Sequence, residues 1–289
     1  PDVILGVGDD GAIIRPTPGK EQVQVIDTLV EGVHFPGDGN PADIGYRAVA
    51  VNLSDIAAMG AQPRFMTLAL SLPPTGESWV AAFAEGLFAA AAEHGVALIG
   101  GDTTSGAAVV VTVHMIGEVD VGSAIRRSGA KAGDTVYVTG TFGDAAAALK
   151  LHRSGLHDEY LMRRFWRPDA RVVTGRRLVG RATAAIDVSD GLLGDLDKLL
   201  QASDVGAIVD IERVPLSAAL RSQFDIADQR QLALTGGDDY ELCFTAGDAT
   251  LPSDLNCTAI GEITTTGALQ CRLDGAVVEF DTSGYRHFQ

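Results

Sequence analysis

Residues 41–61 read PADIGYRAVAVNLSDIAAMGA. Pro41 followed by Asp43 is a helix-start signal, and Ile44, Ala48, Val51 and Asp55 then recur at i, i+4, i+7 and i+11, one stripe of a helix. Asp43, Arg47 and Ser54 group on a different stripe, which is expected to face water. Asp55 therefore shares a face with apolar side chains. A carboxylate on such a face costs several kcal/mol unless something positive meets it.

Working outward, other aspartates stand where an apolar run ends. Asp9 and Asp10 lie in ILGVGDDGAII, Asp27 closes the strand-like VQVIDT, and Asp102 follows VALIGG. Asp187 and Asp190 sit in AIDVSDGLL, ahead of the helix-like DGLLGDLDKLLQ, and Asp238 and Asp239 lie between a Gly-Gly turn and the strand-like YELCF. Any one of these is an ordinary cap or turn residue. Together they mark strand ends, the functional rim of α/β architecture. Carboxylates that converge cannot all stay ionised without cations. Hard divalent ions with oxygen ligands, Mg²⁺ in particular, also leave room for phosphate oxygens. His is absent from these segments and Cys occurs in them only at Cys243, which disfavours zinc.

There is no GxxxxGK[ST] loop and no HRD or DFG set, so neither a P-loop enzyme nor a protein kinase is read. With lysine only at positions 20, 131, 150 and 198, a polyphosphate would be met by metal, backbone N–H groups and a few arginines. Arg126 and Arg127 in AIRRSGAKAGDTVYVTG are candidates, although a solvated basic pair at a domain junction reads the same way.

The 289 residues suffice for one large domain or two smaller ones, and the hydrophobic fraction of 46% can fill a core. The net charge of −16 speaks against nucleic acid or an anionic membrane as partner. Cys243, Cys257 and Cys271 are odd in number and lack CxxC spacing, which fits a reducing cytoplasm. VAAFAEGLFAAAAEHGVALIG is interrupted by Glu85, Glu93 and His94 and reads as a helix followed by a strand, and neither a signal peptide nor a membrane span is expected. The best internal boundary is the AIRRSGAKAGDT loop, because a fresh strand, TVYVTG, follows it.

The segments GVGDDGA, DTLVEGVHF, ADIGYRAVAVNLSDIAAMGAQP, LIGGDTTSG, RSGAKAGDTVYVTG, AIDVSDGLLGDL, LTGGDDYELCF and GYRHF together resemble the thiamine-monophosphate kinase family, in order along essentially the whole chain. The resemblance implies an α+β, two-domain fold of the aminoimidazole ribonucleotide synthetase-like kind. Residues 1–129 would form an N-terminal sheet domain that binds ATP and metal and dimerises, and residues 130–289 a C-terminal α/β domain. It implies direct in-line transfer from ATP, as co-substrate, to thiamine monophosphate, assisted by several Mg²⁺ ions and without a covalent enzyme intermediate. Positioning and charge neutralisation dominate such chemistry. Carried over by position, Asp10, Asp27, Asp55, Asp102, Asp187 and Asp190 match magnesium ligands. Gly101, Asp102, Arg127 and Ser189 match ATP contacts, and His34, Asp238 and Tyr285 match substrate contacts. A helix starting at the DVSDG turn would aim its positive end at a phosphate.

The chain departs from that pattern in places. Val25 and Ile26 stand where many relatives have Ser-Thr, leaving only backbone carbonyls there, and Asp238 replaces a Glu one methylene longer. The sequence begins at Pro1, just before VILGVGDD, where relatives usually have an extra segment. Two further readings are carried. One is a sister ATP-dependent enzyme of the superfamily, making phosphoselenate or closing a purine-precursor ring; no Cys with a nearby Lys precedes GVGDD as a selenophosphate synthetase would require. The other is a non-catalytic metal or nucleotide sensor, for which His34, Asp238 and Tyr285 would be dispensable.

Overall fold

In KEQVQVIDTLV, residues 20–30, Val23, Val25, Asp27 and Leu29 fall on one side of an extended chain and Gln22, Gln24, Ile26 and Thr28 on the other. The computed structural model, which describes residues 2–247, 251–265 and 267–280, makes this stretch a strand. The chain forms two units, one of residues up to Ile56 with Ala61–Ala124, the other of Ala57–Gly60 with residues from Ile125 on.

The first unit carries β1 (Val3–Leu5), β2 (Ile13–Ile14), β3 (Lys20–Val30), α1 (Pro41–Ala58), β4 (Gln62–Leu72), α2 (Glu77–His94), β5 (Ala97–Ser105) and β6 (Val110–Asp120), the last two residues of α1 being counted with the second unit. Its sheet runs β3-β6-β4-β5. The β3–β6 and β6–β4 pairs are antiparallel, and β4–β5 is parallel, with α2 as the crossover such a pair requires. One face buries Val23, Leu29, Met66, Leu70, Val111, Val113 and Met115. Helix α1 lies on that face, close enough that a Cβ on Gly117 would sit 3.0 Å from Ile56 Cδ1. The two helices approach through glycines: a Cβ on Gly45 would lie 2.2 Å from the Phe83 carbonyl oxygen, and one on Gly86 1.7 Å from that of Ala42. On the opposite face the β1–β2 hairpin packs Val3 and Ile14 against Phe65, Ile99 and Ile116, while Ile26 remains 65% exposed.

Two expectations are corrected here. Of the stripe expected to face water, Asp43 is partly exposed but Arg47 and Ser54 are both fully buried. Helix α1 is packed by the sheet on one side and by α2 on another, so an 18-residue helix with mixed stripes is enclosed rather than half-wet. The strands also overrun their aspartates. β3 continues to Val30 past Asp27, and β5 to Ser105 past Asp102, because the ladder with β6 and β4 continues through those positions whatever the side chain.

The second unit holds β7 (Thr135–Thr139), α3 (Asp144–Arg153), α4 (Glu159–Trp166), α5 (Val172–Leu178), β8 (Ala184–Val188), α6 (Leu192–Ser203), β9 (Gly206–Asp210), a 3₁₀ turn (Ile211–Arg213), α7 (Ala218–Gln223), α8 (Ile226–Thr235), β10 (Glu241–Ala246), β11 (Cys257–Thr264), β12 (Leu269–Leu273) and β13 (Ala276–Val278). The TVYVTG segment is a strand, as the sequence predicts, and DGLLGDLDKLLQ a helix. Seven strands make one sheet, β13-β12-β9-β11-β7-β10-β8, antiparallel throughout except for β9–β12. Leu192, Leu193, Leu196, Leu199 and Leu200 recur at helical spacing on α6 and pack with Val136, Val138, Ile186 and Val188 of the sheet. The architecture is α+β. Among the described residues no helix is long and apolar enough to cross a membrane.

Candidate active site

In the second unit β8 ends at Val188, opposite Glu241 at the start of antiparallel β10. This register brings the turn after β8, DVSDG (187–191), against the turn before β10, GGDDY (236–240). Asp238 N–H donates to the Ser189 carbonyl at 2.8 Å and Tyr240 N–H to that of Val188 at 2.8 Å. The approach admits no side chain at Gly237, whose Cβ would lie 2.5 Å from the Ser189 oxygen. Asp238 and Tyr240 hold left-handed φ values of 71° and 51°, a cost non-glycine residues bear only where the surroundings impose it. Tyr240 Oη donates to Asp238 Oδ1 at 3.2 Å. Asp187, Ser189, Asp190 and Asp238 are therefore gathered at one sheet end, with Asp187 buried inside β8.

Two amides of the DVSDG turn are already engaged. Ser189 N–H and Asp190 N–H donate to Asp195 Oδ2 at 2.9 and 2.8 Å. These two donors precede the first turn of α6, which begins at Leu192, and they serve a carboxylate of that helix. Burial raises the Asp195 carboxyl above its ordinary value, while the Lys198 ammonium at 2.7 Å pulls the other way. Lys198 also donates to Asp190 Oδ2 at 2.6 Å.

Behind the GGDDY turn lies a buried ionic network. Glu241 Oε2 accepts from Thr139 Oγ1 at 2.6 Å, and Arg171 grips both carboxylate oxygens through Nε at 2.6 Å and a terminal nitrogen at 2.7 Å. Arg164 reaches Glu241 Oε1 at 2.8 Å and stands 3.5 Å from Asp144, whose oxygens also accept from Thr141 and Ser217. Gly143 N–H donates to both oxygens of Asp239 at 3.0 Å, and burial pushes that carboxyl well above its ordinary value. Sequence reading missed this network and the Asp195–Lys198 pair. Only the latter carried a local signal, its i,i+3 spacing in DLDK.

In the first unit Asp27 stands in the cross-strand row Val113, Leu68, Gly101, and Asp102 in the next row, with Ala69, Thr112 and Thr28. Neighbouring rows address opposite faces, so Asp27 is on the α1 side and Asp102 on the other. Gly101 is held by close approach, a Cβ there falling 2.0 Å from the Leu68 carbonyl oxygen. Asp55 is partly exposed on α1, and Asp10 is exposed, its N–H donating to Asp9 Oδ1 at 2.8 Å. His34 sits in the tight turn after β3, its Nδ1 accepting from Val30 N–H at 3.0 Å. That bond leaves the proton on Nε2.

Arg127, in the second unit, is exposed, and its carbonyl accepts from Ser203 Oγ at 3.0 Å. Tyr285 lies outside the described residues. Among those residues no three His, Cys, Asp or Glu side chains stand together as a ready metal cage. The chemistry of the donor set, carboxylates alone, fits a hard dication that keeps water and phosphate oxygens in its shell.

The α+β fold in two units is that of an AIR synthase related protein. The profile described as AIR synthase related protein, N-terminal domain, matches residues 8–119, and that of the C-terminal domain residues 131–273. Thiamine-monophosphate kinase of Escherichia coli K12 is 44% identical over 303 residues, covering 99% of this chain and 93% of that one. The crystal structure of thiamine-monophosphate kinase from Stenotrophomonas maltophilia superposes with a TM-score of 0.88 at 44% identity, covering 96% of this chain and 92% of the other. AaThiL complexed with AMPPCP and TMP gives 0.86 at 32% identity, covering 98% and 92%. The chain belongs to the thiamine-monophosphate kinase family.

Proposed function

We propose that the chain transfers the terminal phosphoryl group of ATP directly to thiamine monophosphate, giving ADP and thiamine diphosphate. The observation that carries this is near full-length identity of 44% to a kinase of that name, joined to a structural relative that holds an ATP analogue and TMP. Asp10, Asp27, Asp55, Asp102, Asp187 and Asp190 are assigned as ligands of Mg²⁺ ions, which when bound would neutralise phosphate charge. Gly101, Asp102, Arg127 and Ser189 are assigned to ATP, and His34, Asp238 and Tyr285 to thiamine monophosphate.

The chain's own contribution is positional. The strained GGDDY turn holds Asp238 beside Ser189, and His34 offers an Nε2–H donor suited to an anionic phosphate. Residues 1–129 are assigned to ATP, metal and dimerisation and residues 130–289 to the C-terminal domain. A homodimer through the N-terminal sheet is assigned with it; on the face partly covered by the β1–β2 hairpin, Ile26 stays exposed. The thiols Cys243, Cys257 and Cys271 are unbridged, in keeping with a cytoplasmic setting.

The test is release of ADP from ATP and Mg²⁺ with and without thiamine monophosphate, products resolved by chromatography. One thiamine diphosphate per ADP is expected. ATP bound but not turned over would turn the reading towards a sister activity or a sensor.

A further inference from the structure

One cation in the site belongs to the chain itself. Lys198 Nζ bridges Asp190 Oδ2 at 2.6 Å and Asp195 Oδ1 at 2.7 Å. The other oxygen of Asp195 fastens the backbone of Ser189 and Asp190. Ammonium, two carboxylates and two amides thus close one ring around the DVSDG turn. Lys198 is half-exposed, with 43% of its side chain reaching solvent, so its position is set by this ring rather than by core packing. Four residues of the chain are lysine, and this one lies on the carboxylate assigned to a metal.

We propose that Lys198 is a positioning residue that occupies the Asp190 carboxylate as an internal counter-ion, competing with a divalent cation for it. This rests on the assignment of Asp190 as a metal ligand. A monovalent ammonium at hydrogen-bond distance satisfies the lone pairs a dication would use, and its charge opposes the dication's approach. Asp195, tied down by two amides, retains the ammonium when Asp190 is withdrawn. Removing the ammonium therefore has a sign that mere structural support lacks: metal binds more tightly, not more weakly.

The experiment titrates Mn²⁺ into the whole protein without nucleotide, reading unbound Mn²⁺ by electron paramagnetic resonance. Lys198→Met, which keeps the stem and deletes the charge, is expected to tighten binding about three- to tenfold, the range for removing a partly exposed like charge beside a dication. Lys198→Arg is expected to restore the parent affinity. In an Asp190→Asn background the Lys198→Met change should have no effect. Unchanged or weaker binding by Lys198→Met, or a gain that persists in the Asp190→Asn background, overturns the proposal. If Asp190→Asn alone binds Mn²⁺ as the parent does, the assignment of Asp190 fails and the proposal falls with it. A circular dichroism melt of each variant confirms that the fold is intact.

Discussion

Asp55 is partly exposed on α1, between the fully buried Ser54 and Ile56. If it ligates metal, Asp55→Asn should lower kcat about a hundredfold or more with an unchanged thermal midpoint, as loss of one preorganised electrostatic group does. Full activity in the folded variant would remove it from the metal set. His34 carries a different prediction: with Nδ1 occupied by the Val30 amide, its contribution is a single donor, Nε2–H. His34→Ala should raise KM for thiamine monophosphate roughly tenfold with KM for ATP unmoved. A change confined to ATP would reassign the residue. At this scale the sequence disclosed the carboxylates but not their company. Asp195 and Lys198 look like surface residues of an amphipathic helix until β8 places the DVSDG turn over them, and no local pattern links Arg171 with Glu241, 70 residues on.

The elements were legible where one periodicity ruled. Helix α2 ends at Gly95, φ 68°, as a helix followed by Gly should, and α6 shows its leucine stripe plainly. Helix α1 was not, because a helix enclosed on several sides has no wet stripe to calibrate the pattern, and the buried Arg47 and Ser54 were read as its solvent face. Strands β3 and β5 carry their aspartates mid-ladder, since hydrogen bonding to β6 and β4 does not depend on side chains. The α1–α2 contact yields a test with an inverted sign. Gly to Ala in an open helix adds about 1 kcal/mol of stability. Gly86→Ala would place its Cβ 1.7 Å from the Ala42 backbone carbonyl, and neither helix can yield cheaply. The variant should lose roughly 1–3 kcal/mol in denaturant titration; a gain would show that the helices are not so closely set.

For the molecule as a whole, charge is conspicuous: a net −16, with several carboxylates buried. Asp239 titrates above its ordinary 3.8 because burial outweighs the Gly143 amide and Arg164. A carboxyl raised in the folded state binds more protons there than in the unfolded chain. Its contribution to stability therefore falls as pH rises from 3.8 through the raised value. Asp239→Asn removes that slope, so the thermal midpoint of the variant relative to the parent should climb as pH rises above 3.8. A difference that stays flat with pH would mean the carboxyl is not the titrating group.

The hub on Glu241 bears on how fast the protein comes apart. Its three donor residues, Thr139, Arg164 and Arg171, lie 102, 77 and 70 positions away along the chain. Contacts of such sequence separation are made after the chain has largely collapsed, and a half-built cluster would strand a desolvated charge. The cluster should therefore be absent from the folding transition state. Loosening it by Arg171→Lys, which surrenders the two-pronged grip, should leave the refolding arm of a chevron nearly unchanged and speed unfolding about tenfold. On that account the buried charges act as a latch on the finished molecule: they do little to guide the chain home, and they set how long it stays there.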